Sequence, residues 1–221
     1  MRRIIGSSFV SLDGVVQAPG GPTEDPTGGF RFGGWLSPLF DEEAGQAIGK
    51  LFDRPYDLLL GRRTYDIFAA FWPYQTGEEA AMGEAFTAAG KYVLTRGQQA
   101  LPWANSHRLA GTDDLAALKA TDGPDLVIQG SSTIYPALLA AGLLDELQLM
   151  IFPVVLGQGK KLFGEGTPPV ALRPLQQRVT AGGAVIARYA PAGQVTTAAI
   201  SAPSTSDREQ ARQEAMRAGR W

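Results

Sequence analysis

Two short apolar runs in this chain each end in a glycine, and each glycine precedes the start of a predicted helix. Gly61 follows the run YDLLL and opens the segment GRRT, while Gly130 follows a run centred on LVI and opens the segment GSST. A glycine at a strand–helix junction lets a ligand approach the backbone, whose free N–H groups and helix dipole favour an anion such as a diphosphate. The alternative is an ordinary strand–turn–helix corner that binds no ligand.

Arginines accompany two of the strand ends. Arg62 and Arg63 stand where a helix begins, so their charges oppose the helix dipole, and a phosphate ligand would resolve that conflict through charge-assisted hydrogen bonds. A further predicted strand, KYVLT, ends at Thr95 and Arg96. Ligands of open α/β sheets bind at the carboxyl ends of the strands, so we expect these strand ends to form one site.

Two aspartates are candidates for proton transfer or for anchoring a substrate. Asp13 follows the first predicted strand in the motif SLDG, and Asp41 opens a helix together with Glu42 and Glu43. Both have ordinary structural explanations, because Asp-Gly favours a turn and carboxylates are stabilised in a first helical turn. The aromatic segment FWPY at residues 71–74 forms either a pocket wall or part of the core.

The elements that must position these residues alternate between strand and helix, which predicts an α/β fold. A long loop rich in glycine and proline, residues 15–31, separates the first strand from the first helix and is either a binding loop or a disordered insertion. The predicted strands are Arg3–Leu12, Tyr56–Leu60, Lys91–Thr95, Ser106–Leu109, Leu126–Ile128, Glu146–Val155, Val170–Arg178 and Ala184–Tyr189. The predicted helices are Asp41–Phe52, Arg62–Ala70, Glu78–Ala89, Thr112–Thr121 and Ile134–Ala141.

Composition narrows the classes of function. The 221 residues carry a net charge of −2, which gives no global basic surface for nucleic acid. The chain has no cysteine and one histidine, so disulfides, thiolate catalysis and a histidine-rich metal site are excluded, and no metal site is predicted. The longest apolar region contains Asp145 and Glu146, which argues against a membrane span. Absence of cysteine fits a cytoplasmic location.

The chain is expected to divide into one α/β domain, residues 1–191, and a polar tail, residues 192–221. The tail is either mobile or a short helix. Ser206 and Glu209 form a capping-box pattern that predicts a helix over Asp207–Arg217.

Five motifs in order resemble the dihydrofolate reductase-like superfamily, and most closely the reductase domain of the bacterial riboflavin pathway and its stand-alone relatives. The motifs are VSLDG at 10–14, GRRTY at 61–65, VLTR at 93–96, QGSSTIY at 129–135, and GLLDEL followed by PVVLGQG. The resemblance covers residues 2–190. It implies a three-layer α/β/α fold with a mixed, mainly parallel twisted sheet and an antiparallel edge. It also implies that NADPH binds across the strand ends.

The same resemblance implies roles for individual residues. Gly130 to Thr133 would receive the diphosphate, Arg62 and Thr64 would hold the other side of the phosphates, and Thr95 with Arg96 would reach the adenosine 2′-phosphate. The cofactor-binding candidates are therefore Gly61, Arg62, Arg63, Thr64, Thr95, Arg96, Gly130, Ser131, Ser132 and Thr133. Asp41 is the candidate catalytic acid or substrate anchor, with Glu42 in reserve, and Asp13 is the second catalytic candidate. The substrate-binding candidates are Ser11, Trp35, Phe71 and Trp72.

The implied activity is an NADPH-dependent reduction of a small pyrimidine- or pterin-like heterocycle, similar to that of 5-amino-6-(5-phosphoribosylamino)uracil reductase. Relatives are commonly homodimers, and the apolar strand Leu147–Val155 is a candidate interface. The alternatives are dihydrofolate reduction proper and a non-catalytic NADPH-binding sensor. A zinc deaminase activity is excluded because the chain has no cysteine and lacks the deaminase signature.

Overall fold

The computed structural model describes residues 1–200, 204 and 206–220. Within them, eight strands form one sheet: β1 Ile4–Ser11, β2 Tyr56–Gly61, β3 Lys91–Leu94, β4 Ser106–Leu109, β5 Asp125–Gln129, β6 Glu146–Phe152, β7 Leu172–Val179 and β8 Val185–Pro191. The α-helices are α1 Glu42–Gly49, α2 Arg62–Phe71, α3 Ala80–Ala88, α4 Thr112–Ala120, α5 Tyr135–Ala140 and α6 Asp207–Arg217.

The strands lie in the order β4-β3-β2-β5-β1-β6-β8-β7. The first six in this order are parallel, whereas β8 is antiparallel to β6 and β7 is antiparallel to β8. The predicted mixed, mainly parallel sheet with an antiparallel edge is therefore confirmed. All six parallel strands end at one edge, which we call the carboxyl edge, and begin at the opposite one, the amino edge.

Helices cover both faces of the sheet, as the alternation of apolar side chains along the strands requires. In β2, Leu59 packs with Leu115 of α4 and Leu138 of α5, whereas Leu58 and Leu60 face the opposite side. That opposite side is covered by α2 and α3 over β2 and β3, and by α1 over β6. The result is the predicted three-layer arrangement.

Strand β1 approaches α5 unusually closely. A Cβ atom at Gly6 would lie 2.6 Å from Cε1 of Tyr135, so this position accepts only glycine. The Tyr135 ring is fully buried, its hydroxyl is 3.4 Å from Oγ of Ser8, and burial raises its pKa above the ordinary value. The first turn of α5 is therefore fixed against the centre of the sheet.

The long loop after β1 is packed against the domain rather than inserted without contacts. Val15 forms a bridge with Lys161, and the amide of Val16 donates to the carbonyl of Lys160. The Gln17 side-chain amide donates to the carbonyls of Asp25 and Thr27, both at 2.9 Å. These contacts argue against a disordered insertion, and a binding role for this loop stays a prediction.

Two expectations for the later part of the chain differ in outcome. Strand β6 lies between β1 and β8, and Leu147, Met150 and Phe152 are fully buried, so the proposed dimer interface on this strand is wrong. The predicted helix in the tail is present as α6, and Oγ of Ser206 accepts from the amide of Glu209 at 3.2 Å. Residues 201–203, 205 and 221 of the predicted tail lie outside the described residues.

No helix in the described part of the chain is long and apolar enough to cross a membrane.

Candidate functional site

The two strand–glycine–helix junctions lie side by side at the carboxyl edge, because β2 and β5 pair in parallel. The amide of Gly61 donates to Oγ of Ser131 at 3.0 Å. A Cβ atom at Gly61 would lie 3.4 Å from Oγ1 of Thr133, and one at Gly130 would lie 3.8 Å from the methyl group of Thr64. The residues predicted to bind a diphosphate thus form one continuous corner, which we call the glycine corner.

The backbone of the glycine corner turns sharply between β5 and α5. Gly130 has φ of 80°, and Ser131 follows with φ of 53° and ψ of 47°. The left-handed region costs a non-glycine residue about 1–2 kcal/mol, so the hydrogen bond to Gly61 helps to hold Ser131 there. A 3-10 turn, Ser132–Ile134, follows and leads into α5. The first N–H groups of a helical segment have no acceptor within it, so those of Ser132 and Thr133 are available to an anion.

The end of β3 lies beside the glycine corner. Leu94 is in register with Gly61, and the next residue, Thr95, donates its amide to the carbonyl of Leu109 at 2.9 Å. Oγ1 of Thr95 accepts from the amide of Gly97 at 3.1 Å. The Arg96 side chain is exposed, and no hydrogen bond or ion pair engages it within residues 1–200, 204 and 206–220. A guanidinium group therefore remains open at the predicted 2′-phosphate position.

Arg62 is engaged differently from its neighbour. Its guanidinium donates to Asp66 at 2.9 Å and to the carbonyls of Gln99 and Ala100 at 3.0 and 3.1 Å. The hydrogen bond that Arg62 donates to Asp66 raises the pKa of Arg62 above its ordinary value. Arg108 binds the carbonyls of Gly97 and Gln99 from the other side. Arg62 thus holds the loop after Arg96, and its guanidinium is not free for a phosphate.

Arg63 points toward the long loop instead. Its side chain is 55% exposed, and its Nη1 lies 3.8 Å from Oδ2 of Asp25. Asp25 also forms an ion pair with Lys160 and a hydrogen bond with Thr27. Burial acts to raise the pKa of Asp25, but Lys160 and Thr27 outweigh it and lower the pKa. This cluster joins the start of α2 to two loops, and no motif or periodicity in the sequence points to Asp25.

Asp13 connects the ends of β1 and β6. Its carboxylate accepts from the hydroxyl of Ser11 at 2.6 Å and from the amides of Leu156 and Gly157 at 3.1 and 2.8 Å. The hydrogen bond from Ser11, with those from the two amides, lowers the pKa of Asp13 to about 2. Ser11 is itself buried and accepts from the amide of Val15. Asp13 is therefore an ionised loop anchor and a poor proton donor at neutral pH.

Asp41 lies at the carboxyl edge, on the opposite side of β1 from the glycine corner. It caps α1 by accepting from the amide of Ala44 at 2.8 Å, and it accepts from the amide of Gly182 at 3.0 Å. A hydrogen bond from the hydroxyl of Thr180, followed by the one from Ala44, lowers the pKa of Asp41. The candidate acid is thus also ionised, and a role as a hydrogen-bond acceptor suits it better than one as a proton donor.

The aromatic candidates fall in two different places. The indole of Trp35 is buried, donates from Nε1 to the carbonyl of Gln17 at 2.9 Å and packs 6.1 Å from the ring of Phe152. It supports the long loop from inside the core. Phe71 and Trp72 lie at the far end of α2, about 15 Å along the helix from Arg62.

Trp72 packs against Phe86, which in turn contacts Tyr56 at the start of β2. The structure therefore does not bring Phe71 and Trp72 to the carboxyl edge. Among the described residues, no group of three or more His, Asp or Glu side chains is arranged to hold a metal ion.

Sequence comparison identifies one family and one curated relative. The profile of the RibD C-terminal domain matches residues 2–186. A Bacillus subtilis (strain 168) protein named uncharacterized protein YyaP is 26% identical over 190 residues, which cover 83% of this chain and 92% of that protein.

Solved structures resemble the fold over 86% of this chain. A provisionally assigned riboflavin biosynthesis protein from Shewanella sp. PV-4 is covered to 99%, with 22% identity and a TM-score of 0.63. A pyrimidine reductase-like protein from Corynebacterium diphtheriae is covered to 92%, with 14% identity and a TM-score of 0.58. Dihydrofolate reductase from Enterococcus faecalis, solved in complex with NADP(H), is covered to 96%, with 16% identity and a TM-score of 0.50. These matches confirm the dihydrofolate reductase-like fold.

Proposed function

Because this chain belongs to the RibD C-terminal domain family, we propose that it is an NADPH-dependent reductase of a small heterocyclic substrate. The observation that carries the proposal is the glycine corner at the carboxyl edge, with the exposed Arg96 beside it. A pyrimidine or pterin ring is the proposed acceptor, since the fold is shared with a pyrimidine reductase-like protein and with a dihydrofolate reductase.

The residues at the carboxyl edge fit NADPH. Amides at the start of a helical segment and the hydroxyls of Ser131 and Thr133 are donors suited to a diphosphate. The guanidinium of Arg96 offers a planar pair of donors suited to a 2′-phosphate, and Arg63 is the more exposed of the two arginines at the start of α2. When bound, NADPH supplies the hydride, and the protein orients it.

Asp41 is the proposed substrate anchor. A carboxylate offers about four lone-pair sites, and three are taken by Ala44, Gly182 and Thr180. The remaining site can accept an N–H of a heterocycle. Asp13 would act indirectly, by holding the loop after β6 against the end of β1.

The test is NADPH oxidation, followed by the loss of its near-ultraviolet absorbance, with a panel of pterins, dihydrofolate and pyrimidines that includes a ribosylaminouracil phosphate. Turnover of at least one heterocycle, with NADPH strongly preferred over NADH, is the expected result. Asp41→Asn should lower that turnover at least about tenfold with cofactor affinity intact. Failure of NADPH to bind would overturn the proposal.

A second candidate is a sensor that binds NADPH without reducing a substrate. It is favoured by the state of the two candidate acids, because Asp13 and Asp41 both have lowered pKa values and several hydrogen-bond donors. Tight NADPH binding without turnover on any member of the panel would support it.

We also propose that the protein acts in the cytoplasm as a homodimer. Light scattering on a sizing column would test the homodimer.

A further inference from the structure

A polar cavity of about 200 Å³ lies away from the glycine corner. Its floor is the face of the sheet that carries Ile5, Gln148 and Arg188, and its wall is the end of α1 with the segment that follows, including Lys50 and Arg54. Arg3 and Asp125, close to the starts of β1 and β5, mark it as a feature of the amino edge. About six residues of β1, roughly 20 Å, separate this cavity from the carboxyl edge.

The strands under this cavity depart from the pattern of a buried sheet. A face covered by a helix should be apolar, yet Glu146 and Gln148 of β6 point inward and are 2% and 4% exposed. Gln148 is in register with Ser7 on one side and with Arg188 on the other, which continues the polar row across three strands. Departures from core patterning are expected mainly at functional sites.

Positive charge is in excess around the cavity. Five cationic side chains line it against two carboxylates, Asp125 and Glu146; the cations are Arg3, Lys50, Arg54, Arg178 and Arg188. Glu146 is held between Arg3 and Arg188, whose side chains remain 46% and 40% exposed. Arg178 binds Glu43. Lys50 and Arg54 form no ion pair within the part of the chain that the structure describes.

Helix stability explains only part of this charge. Lys50 caps the end of α1, where a cation complements the helix dipole. That explanation does not extend to Arg3, Arg178 and Arg188, which lie on or beside three different strands. It also does not explain why a buried glutamate holds two guanidinium groups at the mouth of a cavity.

We propose that this cavity binds a small phosphate-bearing molecule. Lys50 and Arg54 would bind the phosphate together with the exposed sides of Arg3 and Arg188. Glu146 would accept hydrogen bonds from polar groups of the ligand, and the side-chain amide of Gln148 would donate or accept them. The site is separate from the proposed cofactor site and does not depend on reductase activity.

The test is calorimetric titration of the full chain with inorganic pyrophosphate in phosphate-free buffer at constant ionic strength. The reference protein is Arg63→Ala/Arg96→Ala, in which the exposed arginines of the carboxyl edge are removed. It should retain a pyrophosphate site. Adding Lys50→Ala/Arg54→Ala to this reference should weaken that site by about tenfold or more.

A matched control adds Arg208→Ala/Arg217→Ala instead, which removes two exposed charges from α6. This control should leave the affinity within about twofold. An equal loss in both variants would show a nonspecific charge effect, and no loss in the Lys50/Arg54 variant would place the anion elsewhere; either result overturns the proposal. It is also overturned if the Lys50/Arg54 variant changes the oligomeric state, because the cluster would then be an interface between copies.

Discussion

The two edges of the sheet differ in whether their polar groups are already paired within the protein. At the amino edge, outside the proposed phosphate cavity, charged side chains bind one another or backbone carbonyls: Arg2 pairs with Asp57, Lys119 pairs with Asp145, and the buried Lys91 donates to three carbonyls at the end of α3. At the carboxyl edge, the exposed Arg96 and the first amides of a helical segment remain open. The comparison shows which polar groups stabilise the fold and which are available to a ligand.

Breaking a pair at the amino edge should have the largest effect on stability. Arg2 is 3% exposed and also donates to the carbonyl of Pro124, so Arg2→Met leaves Asp57 without its cation. We expect a loss of about 3–5 kcal/mol in the free energy of unfolding, measured by urea denaturation. A loss below about 1 kcal/mol would show that this pair is not a main support of the fold.

Removing the open guanidinium at the carboxyl edge should instead affect cofactor choice. A hydrogen bond to a charged group contributes about 1.5–3 kcal/mol, so Arg96→Ala should weaken NADPH about 10- to 150-fold and leave NADH binding unchanged. Fluorescence titration with both cofactors measures this.

Arg62→Ala is the matched control for Arg96→Ala, because Arg62 binds Asp66 and two loop carbonyls rather than standing open. It should change NADPH and NADH affinity by the same factor. Comparable losses for the two cofactors in Arg96→Ala would contradict the assignment of the 2′-phosphate.

A smaller effect is expected inside the glycine corner. Ser131→Ala removes the acceptor of the buried Gly61 amide and should cost about 1 kcal/mol of unfolding free energy. Ser132→Ala removes a neighbouring hydroxyl that holds no such amide and should stay within about 0.5 kcal/mol of the wild type. Equal values for the two variants, measured by urea denaturation, would mean that the contact between the junctions adds no stability.

The smallest expected effect depends on pH. Asp13 has a folded-state pKa of about 2, below the ordinary value near 3.9, so its contribution to stability is present above about pH 4 and is lost as the pH falls toward 2. The stability difference between wild type and Asp13→Asn should therefore shrink between pH 5 and about pH 2.5. A constant difference across this range would argue against the role of Asp13 as an ionised anchor.

The sequence was sufficient to predict the parallel order of elements and the gathering of strand ends, because both follow from apolar runs and from the glycines that end them. The junctions that begin at Gly61 and Gly130 are adjacent, and the Gly61 amide donates to Oγ of Ser131. The sequence was not sufficient to predict which of the two arginines at the start of α2 is engaged by hydrogen bonds. Arg62 binds carbonyls of the loop 97–100, whereas Arg63 lies near Asp25 of the loop 15–31. Loop contacts of that kind leave no periodic signal.

Two other differences arise from helix geometry and from hydrogen bonding. Phe71 and Trp72 follow the GRRT motif closely in sequence, but ten residues of α2 carry them to the other end of the domain. Asp13 and Asp41 have the residue type of an acid, yet only the folded structure shows the amides and hydroxyls that keep them ionised.

The close contact between Gly6 and the ring of Tyr135 affects residues beyond these two. Any larger residue there would push the ring of Tyr135 away from β1, and the segment GSST, which leads directly into that helix, would shift with it. A laboratory library that randomises only the residues proposed to contact a ligand would miss this position, although a methyl group added to Gly6 would displace the segment GSST from the side that faces β1.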